Sequence, residues 1–182
     1  MFLFTSVLNG KCLHHHSHKK NHQPIVESNG NNEPIVESTD PIVENKESNI
    51  DLIADGETGY CTYHNYYPTH SMMIPACSDG ENGINTRWGY DTLSPMYPYV
   101  TAFSKVEWNN PTCGECVKVS SNSNTIYLTI IDQCGNAKHE NHFDIAPEAF
   151  YELFGDQGIH DGHGYVEWEF ESDKSKCKGN LG

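Results

Sequence analysis

Alternation of apolar and polar positions begins only after residue 56, and it has a period of two. In TIYLTIID (125–132), Ile126, Leu128 and Ile130 fall on one face of an extended chain, and Tyr127, Thr129 and Ile131 fall on the other. GYVEWEF (164–170) alternates Val166, Trp168 and Phe170 with glutamates, the pattern of a half-buried strand. CVKVS (116–120) and VTAFSKV (100–106) are shorter strand candidates. One helix stands out, APEAFYELFG (146–155): Pro147 suits its first turn, Phe150, Leu153 and Phe154 share a face, and Gly155 supplies a C-terminal stop. Several short strands, one short helix and turns rich in Gly, Asn and Pro predict a small, mainly β barrel.

Before residue 56 no such periodicity exists. MFLFTSVL is apolar over the first eight positions but lacks a basic start, and residues 1–12 read as a short signal segment. HHHSHKKNH (14–22) contains imidazoles that chelate transition metals readily, yet in a polar, low-complexity stretch it reads as a solvated tail, and no metal site is assigned to it. A degenerate repeat follows: QPIVES (23–28), EPIVES (33–38) and DPIVEN (40–45). Its units are too short and irregular for a solenoid, and too polar to offset the entropy of ordering. The sequence therefore divides into a signal segment (1–12), a disordered linker (13–56) and a folded domain (57–182).

Composition narrows the function. The chain has 182 residues, 36% of them hydrophobic, and a formal net charge of −14. That charge argues against a nucleic-acid partner, since phosphate contacts need basic patches. No stretch reaches the roughly 18 apolar residues of a membrane span, so no membrane partner is expected either. Six of the seven cysteines (Cys61, Cys77, Cys113, Cys116, Cys134 and Cys177) lie in the folded part, an even set that reads as a disulfide framework in an oxidising compartment and hence as a secreted protein. The competing reading is a zinc site or reduced thiols; CGEC (113–116) alone fits either, and no second CxxC supports zinc.

Together these segments resemble the double-psi β-barrels of expansins, barwin-like proteins and rare-lipoprotein-A-like proteins, over roughly residues 57–178. CSDGENGI (77–84), WNNPTCGECVKV (108–119), NTIYLTIID (124–132) and the late Cys177 are similar to cerato-platanins. That resemblance implies bridges Cys77–Cys113 and Cys116–Cys177, and leaves Cys61 and Cys134 for a third. GYCTYHNYY (59–67), IID (130–132), HFDIAPEAF (142–150) and GYVEWEF resemble expansins. The fold implied is a six-stranded double-psi β-barrel with one or two short helices.

The expansin resemblance maps a polar site onto Thr62, Asp132 and Asp144. Asp144 lies two residues before the expected N-cap at Ala146, too early for simple capping. Asp132 ends its strand on the parity of Ile126, Leu128 and Ile130, which would place it where the barrel interior opens. Sugar rings stack on aromatics, so Tyr63, Tyr66, Tyr67 and Trp88 are candidate polysaccharide contacts beside His142. Hydrolysis by two carboxylates needs an acid and a base; family-45 cellulases, related by resemblance, keep the base on the first strand, where this chain has no carboxylate between Glu57 and Asp79. The reading is a monomeric, non-hydrolytic, cofactor-free protein that binds cellulose, chitin or a related wall glycan. Expansins usually carry a second domain, which this chain does not include after the barrel. The alternatives are a cerato-platanin-like chitin-binding or host-sensed protein, and a barwin-like protease inhibitor.

Overall fold

The computed structural model describes residues 57–137 and 139–182; the expected signal segment, His-rich tract and repeat linker lie outside them. Its strands are β1 (Glu57–Tyr63), β2 (Val100–Phe103), β3 (Cys116–Ser121), β4 (Asn124–Gln133), β5 (His142–Ile145) and β6 (Gly164–Phe170), with helices α1 (Ile84–Trp88) and α2 (Pro147–Asp161). The strands close into one barrel in the order β1-β5-β2-β4-β3-β6. The β1/β5 and β2/β4 pairs are parallel and the other four antiparallel. This is the double-psi barrel the sequence resemblance implied.

The interior is built by the period-two residues. Phe103 and Phe143 stack with ring centroids 4.6 Å apart, and Trp168 meets both edge-on at 5.2 Å. Val117, Val119, Ile126, Leu128, Ile130 and Ile145 are buried with them. Burying each such side chain contributes about 2 kcal/mol from removed apolar surface. Gly59 is required by this packing, because a Cβ there would lie 2.9 Å from Cε2 of Phe143 and 3.1 Å from Cδ1 of Trp168. Phe170, expected to face inward, ends its strand at the rim and is half exposed, its ring still 5.4 Å from Trp168.

Helix α2 starts as its sequence dictates, with Ala146 at the N-cap and Pro147 just inside. It does not stop at Gly155. That glycine takes φ 61° and breaks the helix, but the chain resumes winding to Asp161 and ends at Gly162. The added turn is fastened by Gln157 donating to Asp161 at 2.8 Å, an i,i+4 contact.

A long connection, residues 64–99, joins β1 to β2 and carries α1. Cys77–Cys113 (Cα separation 5.3 Å) ties it to the segment before β3, and Cys116–Cys177 (5.8 Å) ties the chain's last residues to β3. Both bridges match the expected pairing, and such bridges typically contribute about 2 to 4 kcal/mol each. The third expected bridge is not formed. Cys61 is a buried free thiol, and Cys134, itself disulfide-bonded, is not its partner. Strands β5 and β2 stand between β1 and β4, about 14 Å of barrel wall at the usual strand spacing. Cys61 belongs to the main core, whereas Cys134 packs against Ala102 in a separate cluster; a disulfide needs Cα atoms within about 7 Å.

Burial and, secondarily, the nearby Asp144 charge push the Cys61 thiol far up from its ordinary range, so it stays protonated and unreactive. Iodoacetamide should therefore leave Cys61 unmodified in the native protein and alkylate it after unfolding in guanidinium. A Cys61–Cys134 peptide in non-reducing mapping would contradict this arrangement.

Candidate functional site

The strand register sets four residues side by side. Thr62 on β1 pairs with Asp144 on β5, Asp144 with Ala102 on β2, and Ala102 with Asp132 on β4. Cross-strand partners share a face, and this face is opposite to that of the stacked Phe103 and Phe143, whose positions adjoin Ala102 and Asp144. The row therefore lies on the outer side of the barrel wall. Asp132 reaches it through a bulge: Ile130 pairs with Thr101, Asp132 with Ala102, and Ile131 is the extra residue. The bulge flips the alternation, so Asp132 does not follow Ile126, Leu128 and Ile130 inward as its parity in the sequence suggested. With about 4.8 Å between strands, the two aspartate backbones stand no more than about 10 Å apart, with only the Ala102 methyl between them.

The row is covered by the β1–β2 connection, and Asp132 holds that cover in place. Its Oδ1 accepts from the backbone N–H of Ala76 at 2.7 Å and of Gln133 at 2.8 Å, and its Oδ2 accepts from the Tyr66 hydroxyl at 3.3 Å. Burial, then the charges of Asp132 and Asp144, raise the Tyr66 phenol well above its ordinary value, so Tyr66 remains a donor. Thr62, Asp144 and His142 are wholly buried and Asp132 nearly so.

Thr62, Asp144 and His142 form a directional chain. The Thr62 hydroxyl donates to Asp144 Oδ1 at 2.6 Å, and His142 Nε2 lies 3.0 Å from the same hydroxyl oxygen. The hydroxyl has one proton and spends it on the carboxylate, so His142 must donate from Nε2. That assigns the neutral Nε2–H tautomer, and the buried Nδ1, which has no hydrogen-bond partner, is then the bare nitrogen. Burial lowers the His142 pKa to about 4 against the opposing attraction of Asp144, with His139 adding to the lowering. Asp144 Oδ2 lies 3.8 Å from Nδ1 of His64, whose side chain is 32% exposed and leads from the row to the surface. No side-chain hydrogen bond caps Ala146, so the Asp144 carboxylate is spent on this chain and not on the helix start.

The structure thus brings together Thr62, Asp132, Asp144, Tyr66 and His142. The expected polysaccharide contacts fall at different depths. Tyr66 and His142 are buried inside the site; Trp88 is a core residue at the end of α1, donating from Nε1 to the Gly182 carbonyl at 3.1 Å. Tyr63 is partly buried against Phe150, with centroids 5.1 Å apart. Tyr67 alone of the set is broadly exposed, at 48%. Two members escaped the sequence reading: Ala102, whose smallness carries no motif, and His64, which follows Thr62 by two positions and so shares its face. No cluster of three or more His, Cys, Asp or Glu among the described residues could hold a metal ion, and no helix among them is long and apolar enough to cross a membrane.

Residues 58–179 match the cerato-platanin family. The heat-stable 19 kDa antigen of Coccidioides posadasii is 44% identical over 80 residues, which is 41% of this chain and 54% of that protein. Expansin-like protein 3 of Dictyostelium discoideum is 37% identical over 90 residues, 43% of this chain and 27% of that protein. The chain spans about half the length of the Coccidioides relative it matches. Among solved structures, cerato-platanin 2 of M. perniciosa superposes with a TM-score of 0.59 at 28% identity, covering 66% of this chain and 98% of that one.

The buried neutral imidazole makes stability depend on pH. Unfolding frees His142 to titrate near its ordinary 6.5, whereas in the folded protein it holds out to about 4. Between those values the unfolded state binds more protons. The stabilisation is complete above pH 6.5 and is lost as pH falls through about 4, on the order of 3 kcal/mol in all. Tm should fall across this window, and His142→Gln should have a lower Tm at pH 7 but a flatter profile, as measured by calorimetry. Parallel profiles for the two proteins would contradict the assignment.

Proposed function

The chain belongs to the cerato-platanin family, and we propose that it is a secreted protein that binds wall polysaccharide on the barrel face bearing Thr62, Asp144 and Asp132, and disturbs glycan packing without cleaving it. The observation that carries this reading is the hydrogen-bonded Thr62–Asp144 pair with His64 leading from Asp144 to the surface. A glycan approaching that face meets the His64 imidazole, and ring contacts from His64 through Tyr66 and His70 lead on to the exposed Tyr67, a stacking surface. Thr62 and His142 lie behind and hold the Asp144 carboxylate, whose charge stands 3.8 Å from the His64 ring, so the three are positioning residues.

Cleavage is disfavoured by how the carboxylates are used. A two-carboxylate hydrolase needs one carboxyl to give a proton to the leaving oxygen and another to activate water or attack. Here Oδ1 of Asp144 accepts from Thr62, and Oδ1 of Asp132 is occupied by two backbone N–H groups. Both groups serve as acceptors within the fold. The family match favours a second reading, an interaction protein that binds chitin fragments; retention on chitin without retention on cellulose would select it.

Incubated with amorphous cellulose, chitin and xylan, the full-length protein should be retained on at least one and release no reducing ends. His64→Ala should cut retention several-fold with little change in Tm, and Asp144→Asn should cut it by a similar factor. Reducing-end release that Asp144→Asn abolishes would overturn the non-hydrolytic reading, and unchanged retention in both variants would overturn the site.

A further inference from the structure

The outer face that holds the buried row continues along β1, and its other half is open. Thr58, Tyr60 and Thr62 share one side of that strand. Thr62 is covered, Tyr60 is half-buried, and Thr58 is exposed. Around Thr58 the register forms a second polar row across four strands: Thr58 opposite Glu167 on β6, Glu167 opposite Ser120 on β3, and Ser120 opposite Thr125 on β4. The Ser120 and Thr125 hydroxyls lie 2.9 Å apart. One step along, Tyr60 pairs with Tyr165.

Between β1, β6 and the β3–β4 turn this face sinks into a cavity of about 390 Å³, lined by Thr58, Ser120, Ser121, Asn122, Tyr165, Val166 and Glu167, a volume within the usual range of ligand pockets. Tyr165 presents a large ring to solvent on the outer face of β6, where it is 58% exposed. It is braced rather than loose: Tyr60 meets it edge-on at 5.4 Å, His163 lies 6.2 Å away, and Tyr60 is in turn stacked with His139 at 4.0 Å. A rigid aromatic ring on a strand presents its surface at little entropic cost.

We propose that this open half of the face is a second binding site, for a neutral glycan chain, with Tyr165 as the stacking surface and the hydroxyl and amide side chains of the cavity as its hydrogen-bonding rim. The lining chemistry decides the ligand class. A pyranose has an apolar C–H face and a belt of hydroxyls that both donate and accept. The cavity offers one aromatic face, the hydroxyls of Thr58, Ser120, Ser121 and Tyr165 and one amide with the same dual capacity, and a carboxylate that accepts. It has no cation among its lining residues, and Glu167 together with the chain's net charge of −14 works against an anionic glycan. The site lies about 13 Å along β1 from Thr62, four residues away, so the two halves can be occupied and disabled separately. The inference rests on the reading that the protein meets polysaccharide at all.

The test is titration of the isotope-labelled full chain with cello- and chito-oligosaccharides, followed by amide shifts. Shifts at Tyr165, Ser121 and Asn122 are expected with at least one of the two series. Tyr165→Ala should weaken that binding about three- to tenfold at unchanged Tm, and Tyr165→Phe should restore it. Shifts confined to His64 and Tyr67 would overturn this second site while sparing the function proposed above. Shifts confined to the cavity would uphold the second site and remove the support for the first. No shifts anywhere with either series would overturn both.

Discussion

Ile130 of β4 pairs with Thr101 and Asp132 pairs with Ala102, which leaves Ile131 as one residue too many, and much of the architecture hangs on that irregularity. In a regular strand Asp132 would point where Ile126, Leu128 and Ile130 point, into an interior of stacked phenylalanines and branched aliphatics. An ionised carboxylate there would be stranded without water or partner, at a cost no local rearrangement repays. The bulge turns it outward instead, into reach of the Ala76 amide and the Tyr66 hydroxyl. The connection from β1 to β2 is thereby pinned over the barrel wall above Thr62 and Asp144, while His142 is shielded by Tyr60, whose ring meets it edge-on at 4.9 Å.

Removal from solvent is what gives the inner chain of hydrogen bonds a direction. In water a threonine hydroxyl samples many orientations and an imidazole exchanges tautomers freely. Under the cover, the hydroxyl has one carboxylate to serve and the imidazole one oxygen, so proton positions follow from counting donors against acceptors. The same burial makes charging His142 costly, which keeps the chain intact into mildly acidic conditions. The outer face of the barrel is thus divided between a dry half, where polar groups are spent on each other, and a wet half, where hydroxyls, an amide and a tyrosine ring remain available.

Much of this was legible in the sequence, and the exceptions have physical reasons. The period-two runs in TIYLTIID and GYVEWEF located β4 and β6, because a strand buried on one side must alternate. Pro147 and the position of Asp144 two residues ahead of Ala146 fixed the start of α2 and freed Asp144 from a capping role. The bulge was not legible: an extra residue changes nothing in composition, and Ile131 is as apolar as its neighbours. Gly155 marked a break but could not say that the chain would resume winding beyond it. Trp88 and Tyr66 belong to a residue class that serves core and surface alike, and only the packing of the β1–β2 connection decides between them. The pairing left for Cys61 and Cys134 ignored strand order, which sets two strands between them.

Cys61 is a free thiol in a fold whose other described cysteines are all disulfide-bonded. A thiolate attacks any disulfide it can reach, and the product is a shuffled isomer rather than a broken chain. What prevents this is burial: on β1, hydrogen-bonded between β5 and β6, the thiol is enclosed and held protonated, so no thiolate forms while the wall is closed. Correct covalent connectivity and a shut barrel therefore guard one another. Any excursion that lifts β1 away from its neighbours would release an internal shuffling agent, so the lifetime of the native isomer is set by how seldom that strand opens.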